Sequence, residues 1–122
     1  MNQIMRVWIP LDEKSIAALG AQNSIQVTEG FSLTQQWLAE CDEDDPEILE
    51  DDLLYESGAH SMAVIVANVA AIETGHSATV QIQQPVAAQD VVAFFARSSL
   101  DEDFSWFGPS EIHNFLELVQ RQ

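Results

Sequence analysis

The sequence predicts an α+β fold: a single compact domain in which a small mixed sheet of about four to five strands is packed by three to four helices, one of them long. The chain has 122 residues, a length that suits one domain with one core. Hydrophobic residues make up 47% of it, which is enough to fill an interior. Segments with alternating apolar residues are interspersed with segments in which apolar residues recur every three or four positions, as strands and helices require. We therefore assign residues 1–122 to a single acidic α+β domain.

The N-terminal segment predicts a strand followed by a short helix. Residues 5–9 alternate and are rich in β-forming side chains, so we expect a strand that ends at Pro10. Asp12 and Glu13 then open a short helix, for which Gly20 is the expected stop.

The longest helix is expected to run from Glu47 to about residue 72. A proline at the first helical position behind Asp45 is a common helix start, and Glu47 suits the positive end of the helix dipole. Apolar residues then recur at three- and four-residue steps, and Gly58 is the one breaker. We expect this helix to become more buried towards its C-terminal half.

The last third of the chain predicts strands and a closing helix. Residues 79–83 alternate, residues 91–97 form a nearly continuous apolar run, and residues 104–107 provide the strand that returns after a polar loop. A terminal helix begins after Gly108-Pro109, and its apolar residues form one stripe.

Charge is the strongest compositional anomaly. Twenty carboxylates face four basic side chains, for a formal net charge of −16. Such a field repels nucleic acid and anionic lipid, and it favours cationic partners or metal ions. Direct nucleic-acid binding through a basic patch is therefore not expected.

Several features predict a cytoplasmic protein. No apolar run reaches the roughly 18 residues that a membrane span requires. The first residues lack the basic and apolar regions of a secretory signal. Cys41 is the single cysteine, so no internal disulfide can form and a reducing compartment is expected.

Four short stretches carry a resemblance to a known family. They are Met5-Arg-Val-Trp-Ile-Pro10, Phe31-Ser-Leu-Thr34 with the following Trp37, the acidic turn and alanine-rich stretch over 42–66, and Trp106-Phe107 with Glu111-Ile112. Together they resemble a family of small acidic cytosolic proteins, with no assigned activity, from high-GC Gram-positive bacteria, whose members begin Met-Arg-Val-Tyr-[Val/Ile]-Pro. The chain departs from that pattern, since its middle helix lacks arginines and its strand region after Gly75 is shorter. The resemblance implies a bacterial cytosolic α+β domain and implies no function.

An acidic cluster is the main candidate site. Ten of the twenty carboxylates fall between Glu40 and Glu56. Helical spacing can place Glu43, Glu47, Glu50 and Asp51 on one exposed face, where like charges three or four residues apart cost roughly a few tenths of a kcal/mol per pair. The expected partner-binding residues are Glu43, Asp44, Glu47, Glu50 and Asp51.

Two interpretations of this cluster stay open. It is a solvated helix start that keeps the protein soluble, or it is a docking surface for a basic protein partner. The preferred hypothesis is a non-enzymatic binding or regulatory protein that uses this surface. A special case is a nucleic-acid mimic, whose carboxylates imitate phosphates in the basic groove of a nucleic-acid-binding protein.

Carboxylate oxygens also suit divalent cations, which gives a second hypothesis. An EF-hand loop starting at Asp42 fails, because Pro46 occupies a ligand position. Asp52, Glu56 and His60 lie four residues apart on the predicted long helix and can share a face. The alternative function is therefore a small divalent-metal-dependent enzyme or metal-binding protein that uses these three residues, and a weakly bound divalent cation is the one cofactor considered.

The sequence lacks the motifs of nucleophilic catalysis and of phosphate binding. The chain has no G-x-S-x-G elbow and no glycine-rich phosphate loop, so we assign no catalytic residues and favour a binding role over an enzymatic one.

A second contact site is suggested by Trp106-Phe107, two aromatic residues beside the Gly108-Pro109 turn. Alternation along a strand points at least one of them into the core. The other can be exposed and available for homodimerisation.

Overall fold

The computed structural model describes residues 3–120, which form eight strands and four helices. The strands are β1 (Gln3–Leu11), β2 (Ser24–Ile25), β3 (Glu29–Phe31), β4 (Ala63–Glu73), β5 (Thr79–Ile82), β6 (Val86–Ala87), β7 (Val91–Ala96) and β8 (Ser105–Phe107). The helices are α1 (Glu13–Gln22), α2 (Gln35–Glu40), α3 (Pro46–Ser57) and α4 (Ile112–Gln120). The α+β class and the single compact domain are confirmed.

Six strands form the main sheet, in the order β1-β3-β5-β4-β7-β8, while β2 and β6 form a separate two-stranded ribbon. We expected a mixed sheet of four to five strands; the neighbouring strands here pair antiparallel. The additional strands come from two sources. The three-residue β3 is too short for its pattern to be seen, and β4 lies in the segment assigned to the long helix.

Strand β4 is the centre of the sheet because three strands pair with it. β1 follows one edge from Leu11↔Ala63 to Gln3↔Ala71. The opposite edge is divided between β7 and β5, which pair with the first and last residues of β4. β3 joins β5 to β1, so β1, β3, β5 and β4 form a closed ring of pairings. Gly30 permits the closure, since a Cβ there would collide with Cγ1 of Val7.

The expectation of one helix from Glu47 to residue 72 is wrong in its second half. α3 ends at Ser57, and Ala63–Glu73 is strand β4. β4 is buried on both faces over residues 63–67, so its sequence is continuously apolar, and such a run contains helical spacing as readily as strand spacing. Its β-branched valines and isoleucines favour a strand, and pairing with β1 and β7 realises that preference.

Two local stops also differ from expectation. β1 continues through Pro10, which pairs with Val64. Helix α1 continues past Gly20 to Gln22, and its C-cap Asn23 adopts the left-handed conformation with φ 57°. Gly20 instead lies against α4, where an added Cβ would be 3.1 Å from Nε2 of Gln120.

The helices cover both faces of the sheet and create two apolar clusters. α1 and α4 lie on one face, where Leu19 and Phe115 are fully buried. The expected stripe of the terminal helix is confirmed by this packing. α3 lies on the other face, where Leu53 and Leu54 pack against Trp8. No helix within residues 3–120 is both long enough and apolar enough to cross a membrane.

Arg97 stabilises the turn that connects α3 to β4. Its side chain is 5% exposed. The guanidinium donates hydrogen bonds to the carbonyl oxygens of Gly58 at 2.8 Å, Ser61 at 3.0 Å and Glu102 at 3.2 Å. It also lies 4.2 Å from the centroid of the Phe104 ring. One buried cation therefore joins the turn that precedes the central strand to the loop that precedes β8.

Arg97→Met removes these donors while keeping the apolar stem. The carbonyl of Ser61 then loses its guanidinium donor, and the carbonyl of Gly58 keeps only the hydrogen bond from the Ser61 N–H. We expect the free energy of unfolding to fall by about 3 kcal/mol in urea denaturation. Arg6→Met is the matched control: because the Arg6 side chain is 53% exposed, we expect a change below about 0.5 kcal/mol. Equal losses in the two variants would contradict the role given to Arg97.

Asp12 caps α1 and makes its stability depend on pH. The backbone N–H of Ser15 donates to Oδ1 of Asp12 at 2.7 Å, and this hydrogen bond holds the pKa of the Asp12 carboxyl below its ordinary value of 3.8. Asp12→Ala should cost about 1 kcal/mol at pH 7. Since the folded-state pKa is lowered, this contribution is present above pH 3.8 and is lost as the pH falls through the folded-state pKa. Urea titrations of wild type and variant at several pH values measure the difference, and Asp12→Asn, which keeps a capping oxygen without a titrating group, should show no such pH dependence.

Candidate functional site

The acidic cluster divides between a loop and the first turns of α3. The helix begins at Pro46 behind Asp45, whose Oδ1 accepts a hydrogen bond from the Glu47 N–H at 3.0 Å. Glu43 lies before the helix and accepts hydrogen bonds from the backbone N–H groups of Asp44 and Asp45. The expectation that Glu43 shares a helical face with the later carboxylates is therefore wrong, because the helix starts three residues after it.

Glu47, Glu50 and Asp51 do share one face of α3, and they line a groove. The groove has a volume of about 400 Å³ and lies between α3 and strand β8, with these three carboxylates on one side and Trp106 on the other. We call it the α3–β8 groove. Arg6 also lines it, beside Glu50.

The floor of the α3–β8 groove is the face of the sheet. Val66, Val92, Ala93 and Phe95 line it. Phe95 is the direct cross-strand neighbour of Trp106, so their side chains project from the same face. The floor is thus apolar and aromatic, whereas the wall formed by α3 is acidic.

The two aromatic residues of β8 have different environments, as expected. Trp106 is 62% exposed. Phe107 packs against the core, with its ring centroid 6.2 Å from that of Phe115. The prediction that one aromatic lies in the core and the other is exposed is confirmed, and the exposed one faces the acidic wall of the groove.

The carboxylates of the acidic cluster are poorly neutralised by basic side chains of the described residues. Nη1 of Arg6 lies 3.7 Å from Oε2 of Glu50, and their side chains are 53% and 37% exposed, so the pair is weak and screened by water. Within the described part of the chain, Glu43, Asp44, Glu47 and Asp51 form no ion pair.

The other basic residues lie elsewhere. Lys14 is on α1, which packs on the opposite face of the sheet, and the Arg97 guanidinium is buried against backbone carbonyls. Arg121 lies outside the described residues. Among the described residues, the lining of the groove therefore carries a net negative charge that is open to water.

The candidate metal ligands are not brought together on a helical face. Asp52 and Glu56 are exposed on α3, but the helix ends at Ser57, and His60 lies in the following turn. His60 lines a different cavity, of about 690 Å³, beside Leu11 on the α1 side of the domain. Among residues 3–120, no group of three or more histidine, cysteine or acidic side chains is arranged to hold a metal ion.

Comparisons of the chain with protein-family models, curated proteins and solved structures found no match. The resemblance to the family of small acidic proteins therefore stays a prediction. What this domain binds must be inferred from its own groove and charges.

Sequence reasoning located the acidic wall and Trp106 but missed the floor of the groove. Val66 was assigned to a helix, which removed it from the sheet. Val92 and Phe95 belong to a strand that was expected correctly, yet nothing local to that strand indicates which of its faces a helix leaves open. The alternation of residues 104–107 was the available signal, since it placed Trp106 on the face opposite Phe107.

Cys41 borders the acidic surface and is half-buried after the end of α2. Burial raises the pKa of its thiol, and the negative charges of Asp52, Glu40 and Asp42 raise it further. The thiolate is the reactive form, so the thiol should be unreactive near neutral pH.

We expect Asp52→Asn to increase the rate at which iodoacetamide alkylates Cys41 at pH 8, because removing a nearby charge lowers the thiol pKa. Mass spectrometry of quenched samples measures the rate. Asp101→Asn, in a loop near β8, is the control and should leave the rate unchanged. A rate in Asp52→Asn equal to wild type would show that this charge does not act on Cys41.

Proposed function

We propose that this domain is a non-enzymatic binding protein of the bacterial cytoplasm that docks a basic protein partner. The docking surface consists of the α3 carboxylates and the two acidic residues before the helix: Glu43, Asp44, Glu47, Glu50 and Asp51. One observation carries the proposal: three carboxylates of this surface line a groove opposite an exposed indole, and Arg6 is the one basic side chain among residues 3–120 that lines it.

The energetics of α3 support a partner. Glu47 and Asp51 are four residues apart on one helix face, so their charges repel and oppose helix formation by roughly a few tenths of a kcal/mol. Lysine or arginine side chains of a partner would remove this repulsion on binding. Together with the net charge of −16, the surface would also accelerate the encounter with a cationic protein.

Matched charge variants test the proposal. The site variant combines Glu43→Gln, Glu47→Gln, Glu50→Gln and Asp51→Asn. The control variant combines four exposed carboxylates outside the surface: Glu13→Gln, Glu29→Gln, Asp101→Asn and Glu102→Gln. Both variants change the net charge by the same amount, so any difference between them reports the position of the charge.

Each protein is immobilised and incubated with bacterial lysate at about 50 mM and about 500 mM salt, which changes the screening length several-fold. We expect wild type and the control variant to retain the same basic proteins at low salt and to release them at high salt. The site variant should retain at least about tenfold less of those proteins. Equal retention by the site and control variants would refute the proposal, since the net charge and not this surface would then determine binding.

A further inference from the structure

We infer that the α3–β8 groove receives an amphipathic helix with a basic edge, contributed by the partner protein. This inference rests on the proposed function and adds the form of the segment that binds. It follows from the way the sheet is covered, from the apolar floor of the groove and from the position of the charges along its wall.

Within the described part of the chain, no helix packs extensively on the α3 side of β7 and β8. α3 packs on β1 and β3, whereas the main helix contacts of β7 and β8 are with α4 on the opposite face. An apolar sheet face is normally buried against a helix or another sheet. The space beside α3 above β7 and β8 is thus where a second helix of this layer would lie.

The floor of the groove suits the apolar side of such a helix. Val92 and Phe95 on β7 are half-buried, so part of their apolar surface is accessible from the groove. Trp106 borders them and is 62% exposed. Large aromatic residues with this exposure beside an apolar pocket are typical of the central contacts in protein interfaces.

The wall of the groove suits basic side chains. Glu47, Glu50 and Asp51 span a little more than one helical turn, about 6 Å along the axis of α3. Lysine or arginine residues one turn apart on a helix lying alongside α3 would have the same spacing. The 3.7 Å separation between Arg6 and Glu50 at the surface leaves Glu50 able to accept a second cation.

Charge disfavours a second copy of this chain as the occupant. Its formal charge of −16 is repeated in every copy, and self-association through the groove would bring acidic walls towards each other. A basic segment from another protein has the complementary charge.

Three synthetic peptides of about 14 residues, roughly 21 Å when helical, serve as probes. The first contains lysine and leucine, with the leucines on one helical face. The second has the same composition in shuffled order, so that its leucines fall on no single face. The third has the pattern of the first with glutamate in place of lysine. Isothermal titration calorimetry measures each affinity at low salt.

We expect the amphipathic basic peptide to bind on the order of tenfold more tightly than its shuffled isomer, and the acidic peptide not to bind. Trp106→Ala should weaken binding of the first peptide on the order of tenfold. Leu100→Ala, which truncates another exposed apolar residue outside the groove, should not change it. In ¹H–¹⁵N spectra, the indole N–H resonance of Trp106, identified by its loss in Trp106→Ala, should move during the titration while that of Trp37 does not.

Two results would overturn the inference. If the basic peptides bind equally and Trp106→Ala has no effect, while Glu47→Gln/Glu50→Gln/Asp51→Asn still weakens binding, the acidic surface docks cations without using the groove. If light scattering at micromolar concentration shows a dimer that Trp106→Ala disrupts, a second copy occupies the groove. Failure of the proposed function differs from both, because neither basic peptide would then lose affinity when the three carboxylates are neutralised.

Discussion

The buried guanidinium of Arg97 is the interaction on which the arrangement of this domain depends. It donates to the carbonyl oxygens of Gly58 and Ser61 in the turn between α3 and β4 and to that of Glu102 in the loop before β8, which are distant in sequence. Gly58 lies at the same point, where a Cβ would be 2.7 Å from Cγ2 of Val64 and 2.9 Å from Cζ of Phe104. A side chain at this position would therefore disturb the packing, and glycine occupies the C-cap of α3, five residues before the central strand begins. The position of this turn determines how much of the sheet α3 covers.

The groove is a consequence of that geometry. Because α3 stops at Ser57 and packs mainly on β1 and β3, no helix among residues 3–120 packs extensively on the neighbouring face of β7 and β8. The same short helix begins with a run of carboxylates, so the uncovered apolar face lies beside an acidic wall. Among the basic residues that the structure describes, Arg97 is buried in the core, Lys14 lies on the opposite face, and Arg6 is left beside this wall. An apolar floor with an acidic edge is complementary to a segment that is apolar on one side and basic on the other.

The candidate site could be predicted from sequence in part. The carboxylates of α3 and the exposed residue of the Trp106-Phe107 pair follow from local patterns, since a proline behind an aspartate marks a helix start and alternation separates the faces of a strand. The groove itself did not follow, because its floor combines residues from β4 and β7 with a wall from α3. The prediction that Asp52, Glu56 and His60 share a helical face was wrong for a related reason, because it required a helix that extends past Ser57.

The sequence by itself determined the α+β class, the acidic character and the signals that are resolved within a few residues. These signals include the caps at Asp12 and Asp45 and the apolar stripe of α4. Tertiary structure decided whether Ala63–Glu73 is a helix or a strand. A continuous apolar run satisfies both patterns. Its backbone N–H and C=O groups find partners in an extended strand only when β1 and β7 pair with its two edges. Those partners come from distant parts of the chain, so no local pattern in the segment could reveal them.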